Sequence, residues 1–356
     1  MTTFLLTILV FGLIITLHEL GHFCFAKLFG VRVNEFSFGM GPKLMSRQKG
    51  ETVYSLRLLP IGGYVAMEGE DAEDDGAETV HDGRSFGDKK PWQRFLILAA
   101  GAAMNVVLGF AILLFLSSRM ELMGTNVVAK TVENAQVAQY IEPNDRIVKV
   151  NGHSTGSYND VIFQMVRDAD GIVDLEVRRG ADPKITVGSG KGEPVKLSQV
   201  PFVMTDAGNG QKTIQLDLTF YGVPNSFWGT MHYSVNWTVS IVKQVWFSLV
   251  DIVSGRYGLN EISGPVGTAS VIQKASSYGM DSFLLLFSFI TINVGVFNLL
   301  PIPALDGGRL LFLLIEILFR KPIPAKYEAY INAAGMIVLL GFVAVVTLND
   351  IIKLIP

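Results

Sequence analysis

Charge is what this sequence has least of. Only 17% of its 356 residues are Asp, Glu, Lys or Arg, whereas a soluble chain usually carries about 25%. The shortfall excludes an ordinary water-soluble enzyme of this length. Cysteine is almost absent as well: Cys24 stands alone, which rules out an internal disulfide framework. Basic excess is missing too, since the net charge is −3 and the pI is near 6.0. Nucleic acid is therefore not an expected partner. Histidine is scarce, with five in the chain, and two of them fall inside an apolar run.

What is present is hydrocarbon. Hydrophobic residues make up 49% of the chain and the mean hydropathy is +0.38. Four stretches are long enough to cross a hydrocarbon core, which takes roughly 20 residues. They run about from Phe4 to Phe29, Phe95 to Leu116, Phe283 to Leu300 and Ile331 to Leu348. Met1 to Leu13 contain no Lys or Arg, so the first lacks the positive start of a secretory signal and is expected to be a retained span. Basic residues cluster after span one (Lys27, Arg32, Lys43), before span two (Arg84, Lys89, Lys90, Arg94) and after span three (Arg309, Arg320, Lys321, Lys326). By the positive-inside rule the 30–94 and 301–330 loops are expected inside and both termini outside, with the segment from about Arg119 to Asp281 exported.

Between the spans, residues 31–67 alternate in short runs, Val31–Phe38 and Thr52–Leu58, broken by Gly, Pro and charged turns, and read as β structure. Glu68 to Asp82 is acidic and reads as a solvated linker within 68–90; His81 sits in it. The exported 119–223 segment contains NVVAKTV, DRIVKVNG, VDLEVRRG and KITVG as strands and SYNDVIFQMVRDA as one amphipathic helix. VKLSQVPFV and KTIQLDLTFYGV continue the strand pattern to about Val223. EPNDRIVKVNGHSTGSYND, with His153 in a turn, resembles a PDZ domain, a fold that takes peptides as an added strand. In 224–281, Phe227 to Val242 holds no Asp, Glu, Lys or Arg, but it contains Trp228, His232, Tyr233, Asn236 and Trp237. That mixture predicts a helix at the outer membrane surface, a fifth span being the alternative.

The strongest signal is His18-Glu19-Leu20-Gly21-His22. Residues four apart share a helical face, so both imidazoles can reach one Zn²⁺ with Glu19 near its open position as general base. Ionisable groups within a span cost several kcal/mol and are kept mainly for function. A catalytic zinc site takes three protein ligands and a water, so a third ligand is required at the same depth. Asp306, in FNLLPIPALDGG, is the best candidate. Span three ends there on the inner side, where Pro301 and Pro303 break the helix, and span one brings His18 and His22 to that side. A plain helix-capping role is the alternative for Asp306.

These strings together resemble the site-2 protease family, most closely the bacterial branch that includes the regulator-of-sigma-E protease. Further matching strings are LPIGGYVAM (59–67), GAAMN (101–105) and SGPVG (263–267); Ala102 departs from the proline common in relatives, and one PDZ-like domain fits where some relatives carry two. The resemblance implies a polytopic α-helical membrane protein of about four transmembrane helices, with a membrane-associated β segment and an extracytoplasmic PDZ-like α+β domain. It implies that His18, His22 and Asp306 bind one catalytic Zn²⁺, that Glu19 activates water, and that Asn298 contacts substrate backbone; Asn105 is expected to help bind substrate. It also implies an intramembrane endopeptidase in the cytoplasmic membrane of a bacterium. Its expected partners are the lipid bilayer, single-span substrates such as pre-trimmed anti-sigma factors or remnant signal peptides, and an upstream site-1-type protease. A proteolytically silent scaffold acting through the PDZ-like domain is the alternative, although no ligand or glutamate is missing. A transporter would carry inverted repeats, and the two halves do not resemble each other.

Overall fold

A computed structural model describes residues 2–70, 83–168, 170–182, 192–206, 212–256, 263–321 and 323–354. Most of the acidic stretch, with His81, and the strand expected at KITVG lie outside the described residues. The helices are α1 (Thr2–Leu28), α2 (Pro91–Ser118), α3 (Tyr158–Val166), α4 (Phe227–Val253), α5 (Pro265–Ser277), α6 (Met280–Asn298), α7 (Asp306–Phe319) and α8 (Ala325–Leu354). The strands are β1 (Val33–Lys49), β2 (Thr52–Met67), β3 (Leu122–Thr131), β4 (Arg146–Val150), β5 (His153–Ser154), β6 (Ile172–Arg179), β7 (Glu193–Pro201), β8 (Met204–Asp206), β9 (Lys212–Ile214) and β10 (Leu218–Pro224). The chain divides into two units, one of residues Met1–Gly109 with Ser248–Pro356, the other Phe110–Phe247.

Among the described residues four helices are long and apolar enough to cross a membrane: Leu5–Leu28, Pro91–Ser118, Met280–Asn298 and Lys326–Lys353. They are the four expected spans. The last begins earlier than its hydropathy alone predicts because Pro324 fixes the turn before it and accepts the Tyr327 N–H at 2.9 Å. The protein is accordingly a polytopic membrane protein.

In the first unit α1 and α2 touch through glycine. A Cβ on Gly21 would run into the Ala100 carbonyl, and one on Gly101 would meet the His18 and His22 rings. Small residues at such a crossing let backbones approach where no hydrophobic effect drives helices together. The short SGPVG helix, α5, is fixed by α8: the buried Asp350 accepts the Gly267 N–H at 2.8 Å, a carboxylate at a helix N-terminus supplied by another helix.

The β segment is longer than the short expected runs. β1 and β2 form one antiparallel pair with a turn at Gly50 and Glu51, and both strands bend. Phe36 therefore has two partners, Val65 and Tyr54. The bends occur where Gly39 and Gly62 take positive φ, 86° and 96°, values that side-chain-bearing residues avoid. β2 passes beside α1: a Cβ on Gly12 would stand 2.9 Å from the Pro60 carbonyl, and one on Gly63 would stand 3.4 Å from Glu19 Cγ. The strand thus follows the apolar helix from its middle down to the catalytic-motif residues.

The second unit has a sheet of order β10-β3-β4-β6-β7, with β5 on β4 and α3 on the face. Its core holds Val128, Ile147, Val150, Val161, Met165, Leu175 and Val177, the inward set of period-2 strands and one helix face. Ser157 caps α3 by accepting the Asp160 N–H at 3.1 Å. α4, at 27 residues, is not among the helices apolar enough to span. It packs polar residues against α3, with Ser240 Oγ 2.7 Å from Ser157 Oγ and Lys243 Nζ 3.2 Å from Asp160 Oδ2. Its Phe227, Trp228 and Trp246 are exposed.

Candidate metal centre and its cavity

α1 carries His18, Glu19 and His22 on one side because apolar Leu, Ile and Phe around them make an uninterrupted helix. Asp306 arrives by a different route. α6 stops at Asn298, Pro301 and Pro303 forbid its continuation, and the chain doubles back so tightly that Gly307 and Gly308 leave no room for a Cβ. Ala304 bends the strap with φ 74°, and its N–H donates to Asn332 Oδ1 at 3.2 Å from α8. α7 then starts at Asp306, directing the carboxylate at the histidines. Arg94 on α2 holds the other end of α7 through Glu316 at 2.9 and 3.1 Å.

The three expected ligands converge. His18 Nε2 lies 3.2 Å from His22 Nε2 and 2.9 Å from Asp306 Oδ2; His22 Nε2 lies 3.3 Å from the same oxygen. Two donors each about 2.0–2.1 Å from a tetrahedral ion stand roughly 3.3 Å apart, so this triangle has the dimensions of a zinc cradle. The donor set, two imidazoles and a carboxylate, is one that zinc takes. Oδ2 is enclosed and meets no other partner among the described residues. These residues fit the metal.

Each imidazole also presents its other nitrogen to α2. His22 Nδ1 donates to the Ile97 carbonyl at 2.8 Å, which leaves Nε2 with a lone pair facing the triangle. His18 Nδ1 lies 3.4 Å from the Asn105 amide nitrogen. Both histidines are buried, at 7% and 6% exposure.

A cavity of about 690 Å³ opens beside the triangle. Glu19, His22 and Asp306 line it together with Tyr64 to Met67 of β2, Glu70, Arg309 and Asn332. Arg309, one turn after Asp306, pairs with Glu70 across this space. On the hairpin, Tyr64 is held by Arg57, and Glu35 binds Arg57 at 2.9 Å and Lys43 at 3.1 Å.

The other expected residues fall elsewhere. Asn298 ends α6, half-buried, and does not line the cavity. Asn105 is fully buried against His18, so it does not face the cavity where substrate would lie. His153 packs on Phe247 with ring centroids 4.8 Å apart, and His232 sits beside Asn236; both belong to the second unit, whereas the triangle's residues belong to the first. Sequence reasoning missed the Ile97 carbonyl, which no side chain announces. It also missed Arg309, whose spacing of three from Asp306 does announce it.

A membrane helix carrying two imidazoles, a carboxylate from a second segment and a glutamate at the cavity wall defines the class: a zinc-dependent membrane peptidase. The model of peptidase family M50 matches residues 6–342, and the chain belongs to that family, the site-2 proteases. A Clostridium perfringens protein named as a zinc metalloprotease is 36% identical over 97% of both chains. One from Fusobacterium nucleatum, similarly named, is 36% identical over 99% of both. The regulator of sigma-W protease RasP of Bacillus subtilis is 29% identical over 98% of this chain and 97% of its own. The protein is a zinc metalloprotease of the membrane.

Proposed function

We propose that the chain cleaves peptide bonds inside the membrane-spanning segments of single-span proteins, with His18 Nε2, His22 Nε2 and Asp306 Oδ2 as metal ligands and Glu19 as general base. The observation that carries this reading is the convergence of those three atoms at the wall of a cavity that Glu19 shares. Zinc held there supplies Lewis acidity and lowers the pKa of a water from about 15.7 to about 7. Glu19 takes the proton from the attacking water and delivers it to the leaving amine.

A helical substrate hides its peptide groups in its own hydrogen bonds and must unwind before it can be cut. Tyr64 to Met67 support the place where it is received. β1 covers one edge of that run, and the same residues line the cavity with Glu19. A substrate segment added as a strand on the other edge brings its carbonyls past the triangle. Asn298, at the end of α6 and outside the cavity lining, is the residue that the family resemblance assigns to the substrate backbone.

The basic-residue bias places the hairpin and α7 inside and the second unit outside. α4 then lies at the outer surface: Asn225 Nδ2 donates to the Ser118 carbonyl at 2.8 Å, tying the start of α4 to the end of α2. Its exposed Trp228 and Trp246 suit that depth. The second unit, read as a PDZ-like module, passes substrates whose outer part an upstream protease has already removed, such as trimmed anti-sigma factors or signal-peptide remnants. The name of RasP supports a regulatory substrate.

The test uses purified full-length protein and a single-span substrate, comparing wild type with Glu19→Gln. Loss of cleavage in the variant, with zinc content unchanged, is expected. Equal cleavage by the two overturns the mechanism.

A further inference from the structure

We infer that Asn105 is a positioning residue for the metal site: its side-chain oxygen accepts the Nδ1–H of His18 and so fixes the tautomer that turns Nε2 toward the metal. The inference rests on the reading of His18 as a ligand. It replaces the substrate contact expected of Asn105, whose side chain is sealed from the cavity.

Three observations on α2 carry it. Ile97, Gly101 and Asn105 are spaced by four and form one stripe of that helix. The stripe meets His22 and His18, also spaced by four, on α1. Ile97 gives its carbonyl to His22 Nδ1 at 2.8 Å. Gly101 supplies the gap against both rings, since a Cβ there would stand 2.8 Å from His18 Nε2 and closer still to His22 Nε2. Asn105 completes the pattern at His18 Nδ1. The two imidazoles, one helical turn apart on α1, thus have equivalent neighbours two turns apart on α2.

The orientation of the amide follows from the proton count. A neutral imidazole has one N–H and one lone pair. If the Asn105 amino group donated to His18 Nδ1, the ring proton would sit on Nε2, aimed at the triangle, and His18 could not be a ligand. The Asn105 oxygen, meanwhile, is buried with no hydrogen-bond partner. Turning the amide over about its last torsion removes the conflict at the ring, because oxygen and nitrogen are interchangeable in shape. The oxygen then receives the Nδ1–H, and the lone pair moves to Nε2. Such outer partners commonly change metal affinity 10- to 100-fold.

The experiment measures zinc affinity by chelator competition in detergent-purified full-length protein. It compares wild type with Asn105→Leu, which keeps the shape and loses the acceptor, and Asn105→Asp, which keeps the acceptor and loses the donor. Asn105→Leu is expected to bind zinc about 10- to 100-fold more weakly, and Asn105→Asp to stay within roughly threefold of wild type or bind more tightly. Wild-type affinity in Asn105→Leu, or a loss in Asn105→Asp equal to that in Asn105→Leu, overturns the inference alone. Wild-type protein that binds no zinc overturns the ligand reading and this inference with it. A second measurement needs no variant at position 105. Zinc-loaded wild type labelled with ¹⁵N-histidine should show the Nδ1–H of His18, assigned by the signal lost in His18→Asn, hydrogen-bonded and protected from exchange. A freely exchanging Nδ1–H, or ligation through Nδ1, overturns the inference even if a position-105 variant fails to fold.

Discussion

Two aspartates, one in each unit, have opposite surroundings. Asp145 in the second unit is fully enclosed, and its carboxylate is complete: Oδ2 accepts the Glu142 N–H at 3.0 Å and an Arg179 N–H at 3.1 Å, and Oδ1 accepts Arg179 Nε at 3.1 Å. Arg179 also bonds the Tyr140 carbonyl and Glu142. Asp306 in the first unit has an enclosed Oδ2 with, among the described residues, only two imidazole nitrogens for company. Polar groups buried for the sake of the fold are paired, because an unmet donor or acceptor costs free energy. A charge left half-satisfied at a cavity wall marks chemistry still to be completed by something that is not protein.

Removing each aspartate's environment should have opposite consequences. The largest effect is expected for Asp306→Ala: zinc content should fall from one per chain toward zero and cleavage should vanish. The thermal midpoint of the metal-free protein should stay level or rise, because an unsatisfied charge has gone. A falling midpoint with zinc retained would make Asp306 a structural residue like Asp145. Arg179→Met comes next. It leaves Asp145 buried and unpaired, which costs about 3–5 kcal/mol, so the second unit should melt earlier while zinc stoichiometry stays unchanged. Gly101→Ala should weaken zinc binding about 100-fold, since displacement of a site by about 1 Å costs on that order; a metal titration decides it, and unchanged affinity would show the helices free to separate. The smallest effect is one of pH. The hydrogen bond from Lys149 holds the Glu176 carboxyl below its usual range. That contribution is fully present above the ordinary glutamate pKa of about 4.3 and fades as pH falls below it. Lys149→Ala should lower the second unit's melting midpoint slightly at pH values above about 4.3 and leave it unchanged where acid has protonated Glu176, so that the acid limb of midpoint against pH flattens.

Much of this was legible before any coordinates. The four spans follow from runs too long and too apolar for anything else, and His18 and His22 declare themselves by a spacing of four within one of them. Asp306 could be found because two prolines stop α6 on the required side. The bending of β1 and β2 was not legible: that Phe36 would have two strand partners depends on glycine torsions, and alternation is the same for a straight hairpin. The full length of α4 was hidden because its buried side is serine and threonine, the reverse of a water-facing helix. The burial of Asn105 against His18 was hidden for a plainer reason. The string GAAMN shows a small residue and an amide one turn apart, but not which of two helix faces they share with the histidines.

The contact of Gly21 and Gly101 across α1 and α2 has one last consequence. In most metal sites side chains set the aperture, and a rotamer change can widen it. Here the α2 backbone at Gly101 closes one side of it, held so near α1 that the two rings fill what is left. That side is gauged like a vernier between two rods: a rigid shift of one helix along or away from the other retunes it. Selection acting on the bore of this site must therefore work through the packing of whole helices, far from the imidazoles themselves.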